Sequence, residues 1–325
     1  MEENIFTESS SVSELNLKIN EIRSEIAKVI VGQQHVVDLL MIGLLCDGHL
    51  LLEGVPGVAK TLAAKLLAKI IDVKFSRLQF TPDLMPGDVI GTSVFNPREG
   101  SFYFKPGPVF SNIVLIDEIN RSPAKTQSAL FEVMEERQVT ADGYTHMMDY
   151  PFIVLATQNP IEQEGTYRLP EAQLDRFLFK IEIGYPSLEE EVTILTNQQG
   201  KTQNELLKDV QKLLSPDQVR YYRQLVQEVM IDPKLIIYIA RIVNETRNNP
   251  SLYLGASTRA SLALLKTSKA NAAINGRNFV IPEDIIEMAA PVLRHRIMLS
   301  PEKEMEGIDP DELIRNIIKS LEIPR

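Results

Sequence analysis

The chain has 325 residues, enough to form two domains with a large core, and its single cysteine excludes an internal disulfide. Apolar residues make up 44% and charged residues 24%, which is typical of a soluble globular protein, and the net charge of −10 argues against broad nucleic-acid binding. No apolar run reaches the roughly 20 residues that span a membrane, and the N-terminus lacks the basic residues of a signal peptide. These features predict a cytoplasmic protein without membrane insertion.

The N-terminal part is expected to be helical after a short tail. Residues 1–12 are polar and rich in serine, which predicts a flexible tail. From Ser13 to Ile30, apolar residues recur at helical spacing, which predicts an amphipathic helix. Val31-Gly32-Gln33-Gln34 interrupts this pattern before a second apolar helix over Val36–Cys46. A buried strand is expected over His49–Glu53.

The next stretch, Gly54–Thr61, has the layout of a phosphate-binding loop and reads Gly-Val-Pro-Gly-Val-Ala-Lys-Thr. It follows an apolar strand and opens an Ala/Leu-rich helix, so backbone N–H groups and the helix N-terminus would face a bound anion. Lys60 would add a full positive charge for the β- and γ-phosphates, and the Thr61 hydroxyl suits magnesium. Ala59 stands where the usual pattern has glycine, so this stretch alone leaves a chance loop as the alternative.

Two β-hairpins are predicted further along the chain. After a strand over Lys74–Phe80, residues 81–108 are so rich in proline and glycine that a continuous helix is excluded. Within them, Gly91–Asn96 and Ser101–Lys105 are short β-prone runs joined by a turn that ends in glycine. Val139–Tyr150 has the same character and predicts the second hairpin.

Two further strands carry polar residues at their carboxyl ends. Ile113–Ile116 is a continuous β-forming run, which predicts a strand buried on both faces as in a parallel sheet. Asp117 and Glu118 follow it, at the position where open α/β sheets bind ligands. The buried strand Phe152–Ala156 leads to Asn159 in the same way. Taken alone, the Asp-Glu pair could be a solvated strand end and the Asn-Pro dipeptide a simple turn.

The composition changes after a last strand over Leu178–Ile183. Ser187-Leu-Glu-Glu190 is a capping box, and nearly every later segment reads as helix. The sequence therefore predicts an α/β domain over residues 13–186, followed by an all-helical domain over residues 187–325.

Five motifs resemble, in wording and in order, those of the MoxR family of AAA+ ATPases. They are the phosphate loop, Ile-Asp-Glu-Ile-Asn-Arg (116–121), Ala-Thr-Gln-Asn-Pro (156–160) with Glu164-Gly165, Leu-Pro-Glu-Ala-Gln-Leu-Asp-Arg-Phe (169–177) and Gly-Ala-Ser-Thr-Arg (255–259). The likeness covers roughly residues 28–300, and Ala59 matches this family's form of the loop. It implies a P-loop NTPase (AAA+) core with a parallel sheet and two β-hairpin inserts, followed by an all-helical lid domain.

The resemblance also implies an ATP site with magnesium. Its nucleotide contacts would come from Val31 and Gly32 near the adenine and from Gly54, Val55, Pro56, Gly57, Val58, Ala59, Lys60, Thr61 and Leu62 around the phosphates. Thr61 and Asp117 would hold magnesium, directly or through water. Glu118 would polarise the attacking water, since a carboxylate within hydrogen-bond reach can take its proton. Asn159 resembles the first sensor, which orients that water.

Three arginines receive roles from the same resemblance. Arg176 resembles an arginine finger that reaches into the neighbouring subunit's site, a residue worth about 10³–10⁵ in rate in phosphoryl transfer. Its alternative is a surface ion pair with Asp175 or Glu171. Arg259 resembles the second sensor, contributed by the helical domain to its own subunit's nucleotide; otherwise it is a helix-start arginine that the helix dipole disfavours. Arg121 is either an inter-subunit contact or a solvated helix cap.

At the level of function, the resemblance implies an ATP-hydrolysing chaperone. It would work as an oligomeric ring, expected to be a hexamer, that assembles, remodels or activates other protein complexes. A von Willebrand factor A domain protein is the expected partner. The two hairpins would line the central pore or face a client; the alternative is that their apolar tips serve only in packing. The alternatives are a chelatase motor subunit, a nucleic-acid motor, which the acidic balance disfavours, and a non-hydrolysing ATP-binding scaffold, which the presence of Glu118, Asn159 and Arg176 disfavours.

Overall fold

The structure is a computed structural model that describes residues 2–55, 57–159, 167, 169–197, 199–200 and 203–324, with side chains other than those of 2–10, 203 and 204. No helix within these ranges is long and apolar enough to cross a membrane. The elements up to residue 183 are α1 (Glu2–Ala27), α2 (Gln34–Leu45), β1 (His49–Gly54), α3 (Lys60–Ile71), β2 (Phe75–Gln79), α4 (Pro86–Ile90), β3 (Gly91–Asn96), β4 (Ser101–Pro106), β5 (Ile113–Asp117), a 3-10 turn (Ile119–Arg121), α5 (Ala124–Glu136), β6 (Gln138–Ala141), β7 (Tyr144–Met147), β8 (Ile153–Gln158), α6 (Glu171–Leu174) and β9 (Phe177–Ile183). The remaining elements are α7 (Leu188–Asn197), α8 (Gln203–Asp209), α9 (Pro216–Glu228), α10 (Pro233–Asn248), β10 (Leu252–Leu254), α11 (Thr258–Ile274), α12 (Pro282–Leu293), β11 (Met298–Leu299), α13 (Pro301–Met305) and α14 (Pro310–Ser320).

A five-stranded sheet in the order β2-β5-β8-β1-β9 forms the centre of the α/β part. Every neighbouring pair in it is parallel, so all five carboxyl ends lie at one edge. Residues on both faces of β5 and β8 are buried, because helices cover the sheet on both sides. The predicted α/β class with a parallel sheet is confirmed, and β3–β4 and β6–β7 form the two predicted hairpins.

Helix α1 starts earlier than the sequence predicted. It begins at Glu2, so residues 2–12, where the sequence predicted a tail, are helical. Val12 is already buried, which anchors the following turns. Composition underestimated this segment because serine favours caps and turns over helix interiors.

The helical part docks on α1, α2 and β9 and shares one apolar core with them. Polar contacts reinforce this packing: the Asn16 amide donates to the Ile274 carbonyl at 2.6 Å, and Arg223 Nε donates to the Leu44 carbonyl at 2.8 Å. The prediction of an all-helical lid needs one correction, because β10 and β11 pair as an antiparallel ribbon. These strands have only three and two residues, too few to show an alternating pattern in the sequence.

A buried histidine at the start of β1 makes the stability of the fold depend on pH. His49 Nε2–H donates to the Met134 carbonyl and Nδ1 accepts from the Val154 N–H, both at 2.9 Å, so the neutral ring satisfies both bonds. Burial, with Arg137 nearby, lowers the pKa of His49 to about 3. The stabilisation is therefore complete above the ordinary pKa of about 6.5 and declines as the pH falls from there toward 3.

We expect His49 to contribute a loss of about 1.4 kcal/mol in unfolding free energy per pH unit below 6.5, and buried His295 adds a loss of the same sign. Urea unfolding at several pH values between 7.5 and 5 measures the slope. In a His49→Asn variant the slope should become shallower by His49's share. An unchanged slope in that variant would contradict this assignment.

Candidate functional site

The candidate site lies at the carboxyl edge of the sheet, where four strand ends meet. The register places Glu53 of β1 opposite Gln158 of β8, and Gln79 of β2 opposite Asp117 of β5. Lys60 is the first residue of α3, which follows β1 in the chain after the phosphate loop. The topology therefore brings the phosphate loop and the Asp-Glu pair to one edge, as the sequence predicted.

The loop between β1 and α3 has a backbone shape that explains its residues. Gly57 has a φ of +91°, and a Cβ at Gly54 would lie 2.6 Å from the Ile183 carbonyl oxygen of β9. Ala59 is also left-handed, with a φ of 63°, which explains why glycine is usual there; the alanine costs about 1–2 kcal/mol. Val58 and Leu62 are buried, Val55 and Thr61 are half-buried, and Pro56 lies outside the described residues.

Lys60 supplies the positive charge of the phosphate loop itself. Its Nζ donates to the Gly54 carbonyl across the base of the loop. Burial lowers the pKa of Lys60, while the nearby carboxylates of Asp117, Glu118 and Glu53 oppose that shift. The ammonium group therefore lies within the field of the Asp-Glu pair, on the side where the anion-binding loop opens.

Asp117 is a buried carboxylate that attracts cations. Its Oδ1 accepts from the Thr157 hydroxyl at 3.3 Å and its Oδ2 pairs with Arg77 Nε. Magnesium typically takes one or two protein oxygens and completes its shell with phosphate and water. The oxygens of Asp117 and Thr61 suit such a partial site. Within the described ranges, no three histidine, cysteine or acidic residues group together as a complete metal site.

Glu118 is held in a defined position by three neighbours. Its backbone is left-handed, with a φ of 56°, and its N–H donates to Thr157 Oγ1 at 3.0 Å. Its Oε2 accepts from Gln79 Nε2 at 2.7 Å and pairs with Arg121 Nε at 3.1 Å. Arg121 therefore contacts the Glu118 of its own subunit, and the structure leaves its proposed inter-subunit contact untested.

Thr157 and Gln79 are positioning residues that sequence reasoning missed. The buried Thr157 hydroxyl joins Asp117 to Glu118 by donating to the first and accepting from the second. Gln79 comes from the adjacent strand β2. Thr157 lies in the Ala-Thr-Gln-Asn-Pro motif, two residues before Asn159. That position in the motif was the sequence signal that could have identified it as a residue of the site.

Asn159 lies one residue beyond β8 and is buried at the same edge. Glu164-Gly165 lies outside the described residues. The predicted adenine segment, Val31-Gly32, joins α1 to α2, and Gly32 lines a cavity of about 410 Å³ together with residues of both helices. The backbone of Gly32 lies against the Glu190 side chain of α7, so this segment contacts the helical part.

A second polar cluster joins α5, the start of β9 and α11. Arg176 Nη2 lies 2.9 Å from Glu135 Oε2, and Arg259 Nη2 lies 2.8 Å from Glu135 Oε1. One carboxylate therefore bridges both arginines. The sequence offered Asp175 or Glu171 as the surface ion-pair partner of Arg176, but the partner in the structure is Glu135. Within the described part of the chain, the buried Nε of Arg176 has no acceptor.

This cluster lies at the opposite edge from the phosphate loop. Arg176 immediately precedes Phe177, which is paired with His49, the first residue of β1, whereas the loop follows the last residue, Gly54. Five residues at about 3.3 Å each separate the two ends of the strand by roughly 16 Å. Arg259 is placed by its ion pair with Glu135, and its predicted contact with the nucleotide of its own subunit stays a prediction. The N-terminus of α11 meets the last turn of α5 there, through Arg259 and Glu135.

Asp175 anchors the same region to the helical part. Its Oδ2 accepts from the Ser257 hydroxyl at 2.9 Å, and its Oδ1 accepts from Arg296 Nε at 2.8 Å. Ser257 also caps α11 by accepting from the Arg259 N–H. Arg296 lies beyond the recognised motifs, which is why the sequence analysis did not single it out.

Both parts of the chain match known protein families. Residues 49–179 match the model of the ATPase family associated with various cellular activities (AAA), and residues 244–317 match an AAA lid domain. The chain is 48% identical to the uncharacterised protein YeaC of Bacillus subtilis, covering 92% of each chain, and 44% identical to Chaperone MoxR1 of Mycobacterium tuberculosis, covering 93% of this chain and 81% of that one. A crystal structure from Cytophaga hutchinsonii, described as that of a candidate ATPase, superposes with a TM-score of 0.90 at 45% identity and covers 99% of both chains.

Proposed function

We propose that this chain, which belongs to the MoxR family of AAA+ ATPases, works as a ring in which neighbouring subunits complete each ATP site. The observation that carries the proposal is the separation of the two polar clusters. Lys60, Asp117 and Glu118 lie at one edge of the sheet, and Arg176 and Arg259 lie at the other. A subunit cannot bring these arginines to its own phosphates, whereas a head-to-tail ring brings them to its neighbour's.

Within each site the residues divide the work of hydrolysis. Lys60 binds the β- and γ-phosphates, while Glu118, held by Gln79 and Thr157, takes the proton of the attacking water. Asn159 orients that water. Magnesium, when bound, offsets phosphate charge, and Thr61 and Asp117 would hold it directly or through water.

In this proposal Arg176 and Arg259 both come from the adjacent subunit and offset the charge that develops on the γ-phosphate. Arg259 thus keeps its proposed task of contacting the nucleotide but performs it in trans. The Arg176 guanidinium supports this role, because its side chain is 32% exposed and its Nη2 forms only a surface ion pair with Glu135, so it can donate to a new anionic partner.

The work that hydrolysis drives is chaperone-like assembly, remodelling or activation of protein complexes. The name of the Mycobacterium tuberculosis relative, Chaperone MoxR1, supports this assignment over a chelatase motor. The ring is a hexamer, and a von Willebrand factor A domain protein is its partner. The β3–β4 hairpin offers a surface suited to a client, since Phe95 and Phe102 are exposed and their rings lie 5.1 Å apart.

Mixing two inactive variants tests the shared site. Glu118→Gln keeps the arginines but lacks the base, and Arg176→Ala keeps the base but lacks the finger. Each alone should hydrolyse ATP at least about 10²-fold more slowly than the wild type. Their mixture should recover activity, because Glu118→Gln subunits supply arginines to intact neighbouring sites. A phosphate-release assay measures the rates, and a mixture as inactive as its components would refute the shared site.

A further inference from the structure

We propose that Glu135 is a positioning residue that aligns Arg176 and Arg259 as one paired unit for the neighbouring subunit's ATP. The inference rests on the proposed shared site and deepens it. Glu135 lies on the last turn of α5, and each of its two oxygens binds one guanidinium group, at 2.9 and 2.8 Å. No motif of the sequence pointed to this residue.

The first argument is electrostatic. Two guanidinium groups that approach one carboxylate also approach each other, and like charges repel at that range. The Glu135 carboxylate lowers the net charge of the cluster from two positive charges to one, which allows both arginines to remain side by side. A single phosphoryl group in a neighbouring site would then meet both cations together rather than one after the other.

The second argument comes from exposure. The side chains of Glu135, Arg176 and Arg259 are 40%, 32% and 51% exposed, so these are surface ion pairs, which contribute little to stability. The cluster also borders a cavity of about 350 Å³ that Glu135 and Arg176 help to line. An arrangement that stabilises the fold little and faces an open space is suited to presenting groups to another molecule.

The third argument is that neighbouring elements fix the backbone positions of Arg176 and Arg259. Phe131 of α5 packs edge-on against Phe177 at 5.7 Å, which places α5 beside the start of β9. Ser257 caps the N-terminus of α11, and its hydroxyl donates to Asp175, next to Arg176. The backbones of both arginines are thus fixed. Glu135 then orients both side chains, together with the Phe131 ring over which the Arg176 guanidinium lies at 5.9 Å.

The mixing experiment can place Glu135→Gln on either partner. We call the Glu118→Gln subunit, which supplies the arginines, the donor, and the Arg176→Ala subunit, whose ATP site they complete, the acceptor. With the change on the donor, the Glu118→Gln/Glu135→Gln variant is mixed with Arg176→Ala. The recovered ATPase rate should then fall by about 10²-fold, the typical cost of a misplacement of about 1 Å. On the acceptor, Arg176→Ala/Glu135→Gln is combined with Glu118→Gln. Recovery there should match the reference mixture, because the acceptor's own Glu135 faces no working arginine pair.

Glu136→Gln on the donor is the matched control, since it removes the adjacent carboxylate of α5, and it should preserve recovery. Equal recovery with and without Glu135→Gln on the donor overturns the proposal. So does an equal loss on donor and acceptor, which would make Glu135 merely structural, and so does a loss with Glu136→Gln. Failure of the reference mixture itself, Glu118→Gln with Arg176→Ala, instead refutes the shared site of the proposed function.

Discussion

Replacing Glu118 by glutamine is expected to abolish ATP turnover while leaving nucleotide binding intact. General-base catalysis contributes about 10²–10⁴ in rate, so we expect kcat to fall by that factor. The glutamine oxygen can still accept the bonds that Gln79 and Arg121 donate to Glu118, at 2.7 and 3.1 Å. The left-handed backbone and its N–H bond to Thr157 are unaffected, so the loop should keep its shape.

Two measurements separate chemistry from binding in this variant. Steady-state phosphate release gives kcat, and titration with a fluorescent ATP analogue gives the dissociation constant, which should stay within about two-fold of the wild type. Glu99→Gln, a change of the same kind in an exposed hairpin turn, should alter neither value. Wild-type turnover in Glu118→Gln would remove Glu118 as the base. If turnover is lost as expected, the ATP-bound variant is also suited to capturing client proteins.

The sequence predicted the elements that carry chemistry because the signals were local. A phosphate loop needs only a strand, a turn and a helix start, and all three lie within or directly beside Gly54–Thr61. Capping boxes are equally local. Ser187 and Glu190 exchange the predicted side-chain-to-backbone bonds. The strand order brings the predicted residues together, since parallel strands direct their carboxyl ends to one edge.

Contacts between residues distant in the chain were not accessible in the same way. For Arg176 the sequence offered Asp175 and Glu171, both close in the chain, whereas the structure pairs it with Glu135, on a helix that Phe131 packs against Phe177. For Arg259 the sequence indicated a contact with the nucleotide of its own subunit, whereas we propose a contact with the nucleotide of the neighbour. That choice depends on how the helical part docks, which is a property of tertiary packing rather than of any motif.

The docking itself centres on Arg296, and replacing it by alanine should strongly destabilise the protein. Its side chain is 3% exposed and makes five hydrogen bonds, as many as its guanidinium has N–H donors. The acceptors are Asp175 Oδ1 and the carbonyls of Asp175, Phe177, Leu178 and Val292. Arg296 thus joins α12 and the start of β9 at the residue next to the proposed arginine finger.

Arg296→Ala removes the cationic partner of Asp175, the donor to Asp175 Oδ1 and the donor to several carbonyls. Breaking a buried ion pair by removing one partner costs about 3–5 kcal/mol, which for a chain of this size lowers the unfolding midpoint by roughly 4–7 °C. Scanning calorimetry measures the shift. Arg315→Ala, which removes an exposed arginine on α14, should change stability by no more than about 0.5 kcal/mol.

A double-mutant cycle with Asp175→Ala identifies the source of the Arg296 effect. Each single change leaves the remaining charge without its ion-pair partner, so the double variant should lose less stability than the sum of the two. Additive losses would mean that Arg296 acts through packing and the carbonyls alone. Because Asp175 precedes Arg176, loss of this pair should also misplace the finger. Arg296→Ala subunits held below their unfolding temperature should therefore be poor arginine donors to Arg176→Ala subunits, while their own phosphate loops still bind ATP.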